Sequence, residues 1–197
     1  MTIERQDITG LVLAGGQGSR MGGVDKGLQP FRGAPLALHA LRRLQSQTGA
    51  AMVSANRNLP AYQAFGVPVW PDDEGGEGPL AGILAGLAHC TTPWLLTVPC
   101  DTPFFPADLA ARLALAARGA DMAIAAAPDG DLQPVFCLLR TSLRDDLAAY
   151  LHQGGRKVRA WMGQHRCVTV RFDQPCDDPR AFANANTLAE LQALEGA

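Results

Sequence analysis

In the stretch Leu11 to Leu28, LVLAGGQGSRMGGVDKGL, glycine recurs at 15, 16, 18, 22, 23 and 27, with Arg20, Asp25 and Lys26 between. Glycines lack a Cβ, so this backbone can take positive φ angles and come close to a ligand. Its N–H groups can then converge on phosphate oxygens while the two cations balance charge. An ordinary surface turn rarely needs so many glycines together with interleaved cations. Far along the chain, the apolar run Trp94 to Val98 delivers Asp101 through Pro99-Cys100. In open α/β sheets the edge beyond the carboxyl ends of the strands is where ligands bind. A glycine loop and a strand-borne carboxylate at one edge are the parts needed to handle a nucleotide.

Two familiar phosphate loops do not match. The Walker A pattern requires Gly-Lys followed by Ser or Thr, whereas Lys26 lies between Asp25 and Gly27, with no hydroxyl for a metal. The dinucleotide fingerprint G-x-G-x-x-G would start at Gly16 and Gly18 but meets Met21 at its third glycine, and no acidic residue closes a second strand at Asn56. Hydride transfer is thereby disfavoured.

The elements that must position these residues follow from the apolar spacing. Ile8 to Leu13 reads as a buried strand entering the loop, and Gln29 to Phe31 as a short extended piece. Leu36, Leu38, Leu41 and Leu44 predict a helix from about Pro35 to Gln47, with proline in its first turn. Ala51 to Ala55 and Val67 to Trp70 read as strands whose far ends carry Asn56 and Asp72, with a short helix over Pro60 to Phe65 between them. Leu80, Ile83, Leu84 and Leu87 line a helix in which Gly82 and Gly86 allow close approach. Then come a strand at Trp94 to Val98, a helix at Pro106 to Arg118, strands at Met122 to Ala127 and Gln133 to Leu139, and a helix reaching Leu151. Gly154-Gly155 breaks that helix, the basic piece Arg156-Lys157-Val158-Arg159 opens another, and Cys167 to Phe172 alternates like a strand. Thr187 and Glu190 form a capping-box pattern for a terminal helix. Alternating strands and helices predict a single α/β domain over 1–197, Rossmann-like and three-layered, with a mostly parallel mixed sheet and helices on both faces.

Composition sets further bounds. The 197 residues are 47% hydrophobic, enough for one substantial core. Seventeen basic and nineteen acidic side chains leave a net charge of −2, which does not favour nucleic acid. Five cysteines at 90, 100, 137, 167 and 176 are odd in number and show no C-x-x-C, which argues against a disulfide framework or zinc site and for a reducing compartment. MTIERQDITG lacks an apolar signal core and no stretch nears the roughly 20 apolar residues of a membrane span. A cytoplasmic protein without a membrane partner, acting as a monomer, is the expectation.

LAGG-x-G-x-R-M-G followed by D-K-G resembles the signature of nucleotidyltransferases, which attach a nucleoside monophosphate to a phosphorylated acceptor and release pyrophosphate. The resemblance continues through P-D, GPLAG, PCDTP and N-x-N-T, covering nearly the whole chain. Within that superfamily, RMGGVDKGL, the compact length and the N-x-N-T ending are similar to the molybdenum cofactor guanylyltransferase family. The resemblance implies GTP and molybdopterin as substrates, magnesium as cofactor and transient contact with molybdoenzymes or other cofactor-biosynthesis proteins. It implies a nucleotide-binding part over about 1–104 and an acceptor-binding part over about 105–197. Transfer of CMP, or of a nucleotide to a sugar phosphate, is the alternative within enzymes. A non-catalytic nucleotide or cofactor carrier is the alternative outside them.

Residue by residue, Leu13, Ala14, Gly15 and Gly16 bring backbone to the nucleotide, while Arg20 and Lys26 neutralise the leaving pyrophosphate. Asp101 is the expected metal ligand, because magnesium usually takes only one or two protein carboxylates and fills its other positions with phosphate and water. Guanine offers N1–H and N2–H₂ on one edge and a carboxylate accepts both, which makes Asp72 a base reader, with Asp73 adjacent and a ribose contact equally open. Leu80 and Gly82 could wall the base pocket or simply pack the core. The family pattern carries asparagine at the end of the second strand, where this chain has Ser54-Ala55-Asn56-Arg57, so Ser54 and Asn56 share that expectation. Arg156 and Lys157 with Arg159 form the only basic cluster outside the loop and suit the acceptor's phosphate. Asn184 and Asn186 supply further polar contacts to acceptor or metal. Cys100 is expected to be a small buried thiol.

Overall fold

Strand β1 (Ile8–Leu13) is buried at every position because it has a parallel partner on each side and helices on both faces. A computed structural model describes residues 2–15, 25–72, 78–185 and 190–191. The partners of β1 are β4 (Ala50–Ser54) and β6 (Trp94–Pro99). A short β5 (Val69–Trp70) extends the sheet beyond β4, and a hairpin of β2 (Pro30–Phe31) and β3 (Ala34–Pro35) stands apart. On the other side of β6 lie β8 (Leu132–Arg140), β7 (Met122–Ala126) and β9 (Cys167–Arg171), giving the order β5-β4-β1-β6-β8-β7-β9. Only β8 runs antiparallel to its neighbours, so the sheet is mostly parallel and mixed, as expected.

Successive side chains of a strand point to opposite faces, and the two faces here meet different helices. Ile8 and Val12 join Leu41 and Leu44 of α1 (Leu36–Gln45), Tyr62 of α2 (Leu59–Gln63) and Leu109 and Leu113 of α4 (Leu109–Ala116). Leu11 and Leu13 join Leu80, Ile83 and Leu87 of α3 (Pro79–His89), Leu147 of α5 (Arg144–His152) and Trp161 of α6 (Val158–Met162). Pro35, expected inside the first helical turn, instead ends the hairpin and stands just before α1. The terminal helix expected after Thr187 lies largely outside the described residues.

Close approach of layers depends on missing side chains. A Cβ on Gly10 would stand 2.5 Å from Leu44 Cγ, and one on Gly86 would stand 2.4 Å from Leu11 Cδ2. Gly10→Val therefore pushes α1 off the sheet at a cost of about 1–3 kcal/mol, read as a melting temperature lowered by roughly 3–10 °C. A thermal melt checks this, and an unchanged midpoint would contradict the packing.

Candidate active site

Parallel alignment brings four strand ends to one edge. Leu13 stands opposite Ser54 and Pro99, and Ser54 opposite Trp70. The ladder runs one residue further: Ala14 N donates to Ser54 O (2.8 Å), Cys100 N to Leu13 O (3.1 Å) and Ala55 N to Trp70 O (3.1 Å). Gly15, Asn56, Asp72 and Asp101 therefore leave the sheet together. The Ala14 amide, one of those expected at the nucleotide, is thus engaged within the sheet ladder. Gly16, Arg20 and Asn186 lie outside the described residues.

On one side of β1 the edge forms a polar patch. The Asn56 side-chain carbonyl accepts the Asp72 backbone N–H at 2.9 Å. A Cβ on Gly15 would sit 3.5 Å from Asn56 Nδ2 and 3.6 Å from Asp72 Oδ2, so these three residues face a common space. The Ser54 and Asn56 alternatives separate here. Asn56 is exposed beside Gly15, whereas Ser54 is buried, its hydroxyl without a protein partner and 3.0 Å from where a Gly82 Cβ would be. Leu80 is fully buried among the sheet residues under α3, so its side chain belongs to the core.

On the other side stands the charged pair. Lys26 Nζ lies 2.5 Å from Asp101 Oδ2, both side chains being about one-fifth exposed, at 22% and 17%. Two residues remote in sequence thus meet where the strand ends meet. Asp101 is further framed by the terminal segment: Ala185 N donates to Asp101 O (2.9 Å), and the Thr102 hydroxyl donates to Asn184 Oδ1 (2.7 Å). Asn184 is therefore beside the carboxylate, with its side-chain oxygen already occupied. Cys100, next in line, is buried, and burial together with the Asp101 charge holds its thiol far above the ordinary range, so it remains protonated and inert.

The basic cluster spreads rather than converges. Arg156 Nη1 donates to Leu151 O (2.8 Å) and Gly155 O (2.7 Å), closing the end of α5. Lys157 is exposed at the start of α6. Arg159 Nη2 reaches Asp131 Oδ1 and Leu132 O, each at 3.1 Å, and Leu132 pairs with Ala126 at the end of β7 on this same sheet edge.

Two residues, Asp25 and Thr97, were not singled out from the sequence as site residues. Asp25 accepts bonds from the Tyr62 hydroxyl (2.6 Å) and Asn58 Nδ2 (2.9 Å). Thr97, fully buried on β6, donates to Val135 O at 2.6 Å. It does so where the β7–β8 register jumps from Ile124↔Cys137 to Ala125↔Gln133, a local irregularity in the first half of β8. Asp25 stood in the quoted D-K-G, and its acidity beside a lysine was the available signal; the bulge had none.

Residues 10–194 match the family model described as the MobA-like NTP transferase domain. A protein named molybdenum cofactor guanylyltransferase from Acidovorax ebreus (strain TPSY) is 65% identical over 206 residues, covering 98% of each chain. Among solved structures, molybdopterin-guanine dinucleotide biosynthesis protein A from Archaeoglobus fulgidus superposes with a TM-score of 0.78 at 22% identity, covering 95% of this chain and 97% of the other. A Mycobacterium tuberculosis H37Rv protein in complex with manganese has a TM-score of 0.69 at 17% identity, covering 98% and 99%. Likenesses at that level of identity bear on the fold alone.

Proposed function

We propose that this chain, which belongs to the MobA-like NTP transferase family, transfers the GMP part of GTP to the terminal phosphate of molybdopterin and releases pyrophosphate. The observation that carries the reading is the meeting of Lys26 and Asp101 at 2.5 Å on the edge that also presents Gly15, Asn56 and Asp72. The name borne by a relative 65% identical over nearly full length points to the same nucleotide and acceptor.

In the reaction an oxygen of the acceptor phosphate attacks the α-phosphorus of GTP, a P–O bond forms, and the α–β bridging bond breaks with its electron pair leaving on pyrophosphate. A phosphate monoester has its second pKa near 6, so the attacking oxygen is already ionised at neutral pH and no protein base is required. Two anions must be brought together, which makes charge neutralisation and alignment the main catalytic terms. Gly15 leaves room for the nucleotide backbone, Asn56 and Asp72 receive its base and ribose, and Lys26, with Arg20, offsets charge on the leaving group. Asp101 lies one-sixth exposed with a hard oxygen donor, and no group of three or more acidic, His or Cys residues able to hold a metal occurs among the described residues. That donor set fits a magnesium ion that takes one protein carboxylate and completes its shell with phosphate oxygens and water. Bound there, the ion would draw charge from the triphosphate.

The acceptor is assigned to the half of the chain from about 105 onward, with Arg156, Lys157, Asn184 and Asn186 as its expected contacts; of these Asn184 stands beside Asp101 through its bond from Thr102. The free thiols Cys100 and Cys137, both buried, suit a reducing cytosol, and no helix among the described residues is long and apolar enough to cross a membrane. The test is incubation with GTP, magnesium and molybdopterin. Pyrophosphate release that requires all three supports the reading, and none in the presence of intact acceptor overturns it. Competition with CTP separates guanylyl from cytidylyl transfer. If Asp72 accepts both guanine donors, Asp72→Ala lowers the GTP-over-CTP preference by about tenfold or more, and an unchanged ratio removes Asp72 as the base reader.

A further inference from the structure

Lys26 carries its charge on a flexible four-carbon stem, so its head can be aimed only as well as its backbone is held. That backbone belongs to a short 3₁₀ turn, Lys26–Leu28, following the glycine loop. The turn is tied to a helix more than thirty residues on. Tyr62 of α2 is fully buried, yet its hydroxyl donates to Asp25 Oδ1 at 2.6 Å, and Asn58 Nδ2, from the residue before the same helix, donates to Asp25 Oδ2 at 2.9 Å. Both oxygens of Asp25 are therefore engaged by one short element. The Asp25 carbonyl in turn accepts Gln29 Nε2 at 3.1 Å and Leu28 N at 3.3 Å, so residues 25–29 form one bonded unit docked on α2.

Two local features make the docking close. A Cβ on Gly27 would stand 2.4 Å from the Tyr62 hydroxyl, so the turn passes directly over the phenol and only glycine allows it. Asn58 takes φ 52, a left-handed conformation that asparagine tolerates better than most residues, and this presents its amide to Asp25. Packing alone would be served by phenylalanine at position 62, whose ring could keep the edge-to-face contact with Phe65. The hydroxyl has a different use, because a hydrogen bond to a charged acceptor is among the stronger kinds and is directional.

We infer that Tyr62, assisted by Asn58, is a positioning residue for Lys26, acting through the Asp25 carboxylate to aim the lysine at the site it shares with Asp101. The inference rests on the proposed role of Lys26 at the nucleotide phosphates. Burial, and then the bond to Asp25, push the Tyr62 phenol far above its ordinary range, so it stays a donor throughout any working pH.

The experiment is a mutant cycle. Tyr62→Phe and Asn58→Gly, the latter keeping the left-handed backbone available, are each made alone and with Lys26→Ala. They are read by pyrophosphate release with GTP, magnesium and molybdopterin, and by Kd for a fluorescent GTP analogue where turnover is too slow. Tyr62→Phe alone is expected to lower kcat/KM about tenfold and Asn58→Gly about threefold. With Lys26 already alanine, the further effect of either should shrink to less than about twofold, because the group being aimed is gone. An equal fractional loss in both backgrounds makes Tyr62 merely structural and overturns the inference, as does wild-type kinetics for Tyr62→Phe. Asn58 is exposed, so its variant tests the same coupling should Tyr62→Phe not fold. Full activity of Lys26→Ala would instead overturn the role given to Lys26 itself, an outcome separable from normal Tyr62→Phe in a Lys26-dependent enzyme.

Discussion

Asp101→Ala should lower the rate of pyrophosphate release by about a thousandfold or more while leaving the fold in place. The carboxylate leaves a buried strand at the meeting point of four strand ends, and under the proposed reading it is the one described side chain that holds the divalent ion. The backbone contacts around it survive the substitution, since the Asp101 carbonyl that receives the Ala185 N–H, and the neighbouring Cys100 N–H that donates to Leu13 O, belong to the main chain. The side chain is 17% exposed, so loss of its contact with Lys26 removes about 1–2 kcal/mol of stability, between the values for exposed and buried pairs. A thermal melt should therefore move by only a few degrees as turnover collapses. Asp101→Asn sharpens the test: it retains the shape and one neutral oxygen but not the charge, and should fall nearly as far as the alanine. Affinity for GTP measured without metal should change little. Near-normal turnover by the asparagine variant would show that the carboxylate charge is not what the reaction needs.

What the sequence made legible follows from the range over which each feature is determined. β1, β4 and β6 were readable because each is a short apolar run stopped by Gly, Asn or Pro-rich residues, and buried parallel strands take that form. The gathering of Gly15, Asn56, Asp72 and Asp101 followed with little more, since parallel strands must finish on one edge. The antiparallel strand β8 between β6 and β7 was not readable, because strand order is a matter of long-range pairing and the apolar run Gln133 to Leu139 looks alike in either direction. The same holds for the β-bulge held by Thr97: a buried threonine in an apolar strand carries no mark of the carbonyl it will meet at residue 135.

The site shows the same division. Lys26 and Asp101 were recognisable by type and motif, and the structure joins them. Ser54 and Asn56 could not be told apart from their spacing, because the choice depends on which side of the sheet α3 covers; Gly82 packs over Ser54 and leaves Asn56 outside. Arg156 and Arg159 looked like one basic patch in the sequence. In the fold they turn to different acceptors, the end of α5 and the β8 edge, and adjacency along a chain is poor evidence that two long side chains act together.

Lys26→Ala is expected to lower kcat and kcat/KM together, each by about a hundredfold to a thousandfold, with a smaller change in KM for GTP. That pattern follows from where the charge is needed. Ground-state GTP already carries its negative charge, but breaking the α–β bond moves further charge onto the departing pyrophosphate, and an ammonium aimed there stabilises the transition state more than the bound substrate. Lys26→Arg restores the charge with a wider, planar head that fits the 2.5 Å approach to Asp101 less well, so it should recover only part of the loss. Removal of the lysine also leaves Asp101, 17% exposed, without this partner, and the melting temperature should fall by roughly 3–8 °C. Steady-state kinetics over a GTP series, with a melt on the same samples, decide it. A rise in KM at constant kcat would assign Lys26 to uniform nucleotide binding and leave stabilisation of the leaving group to Arg20 and the divalent ion.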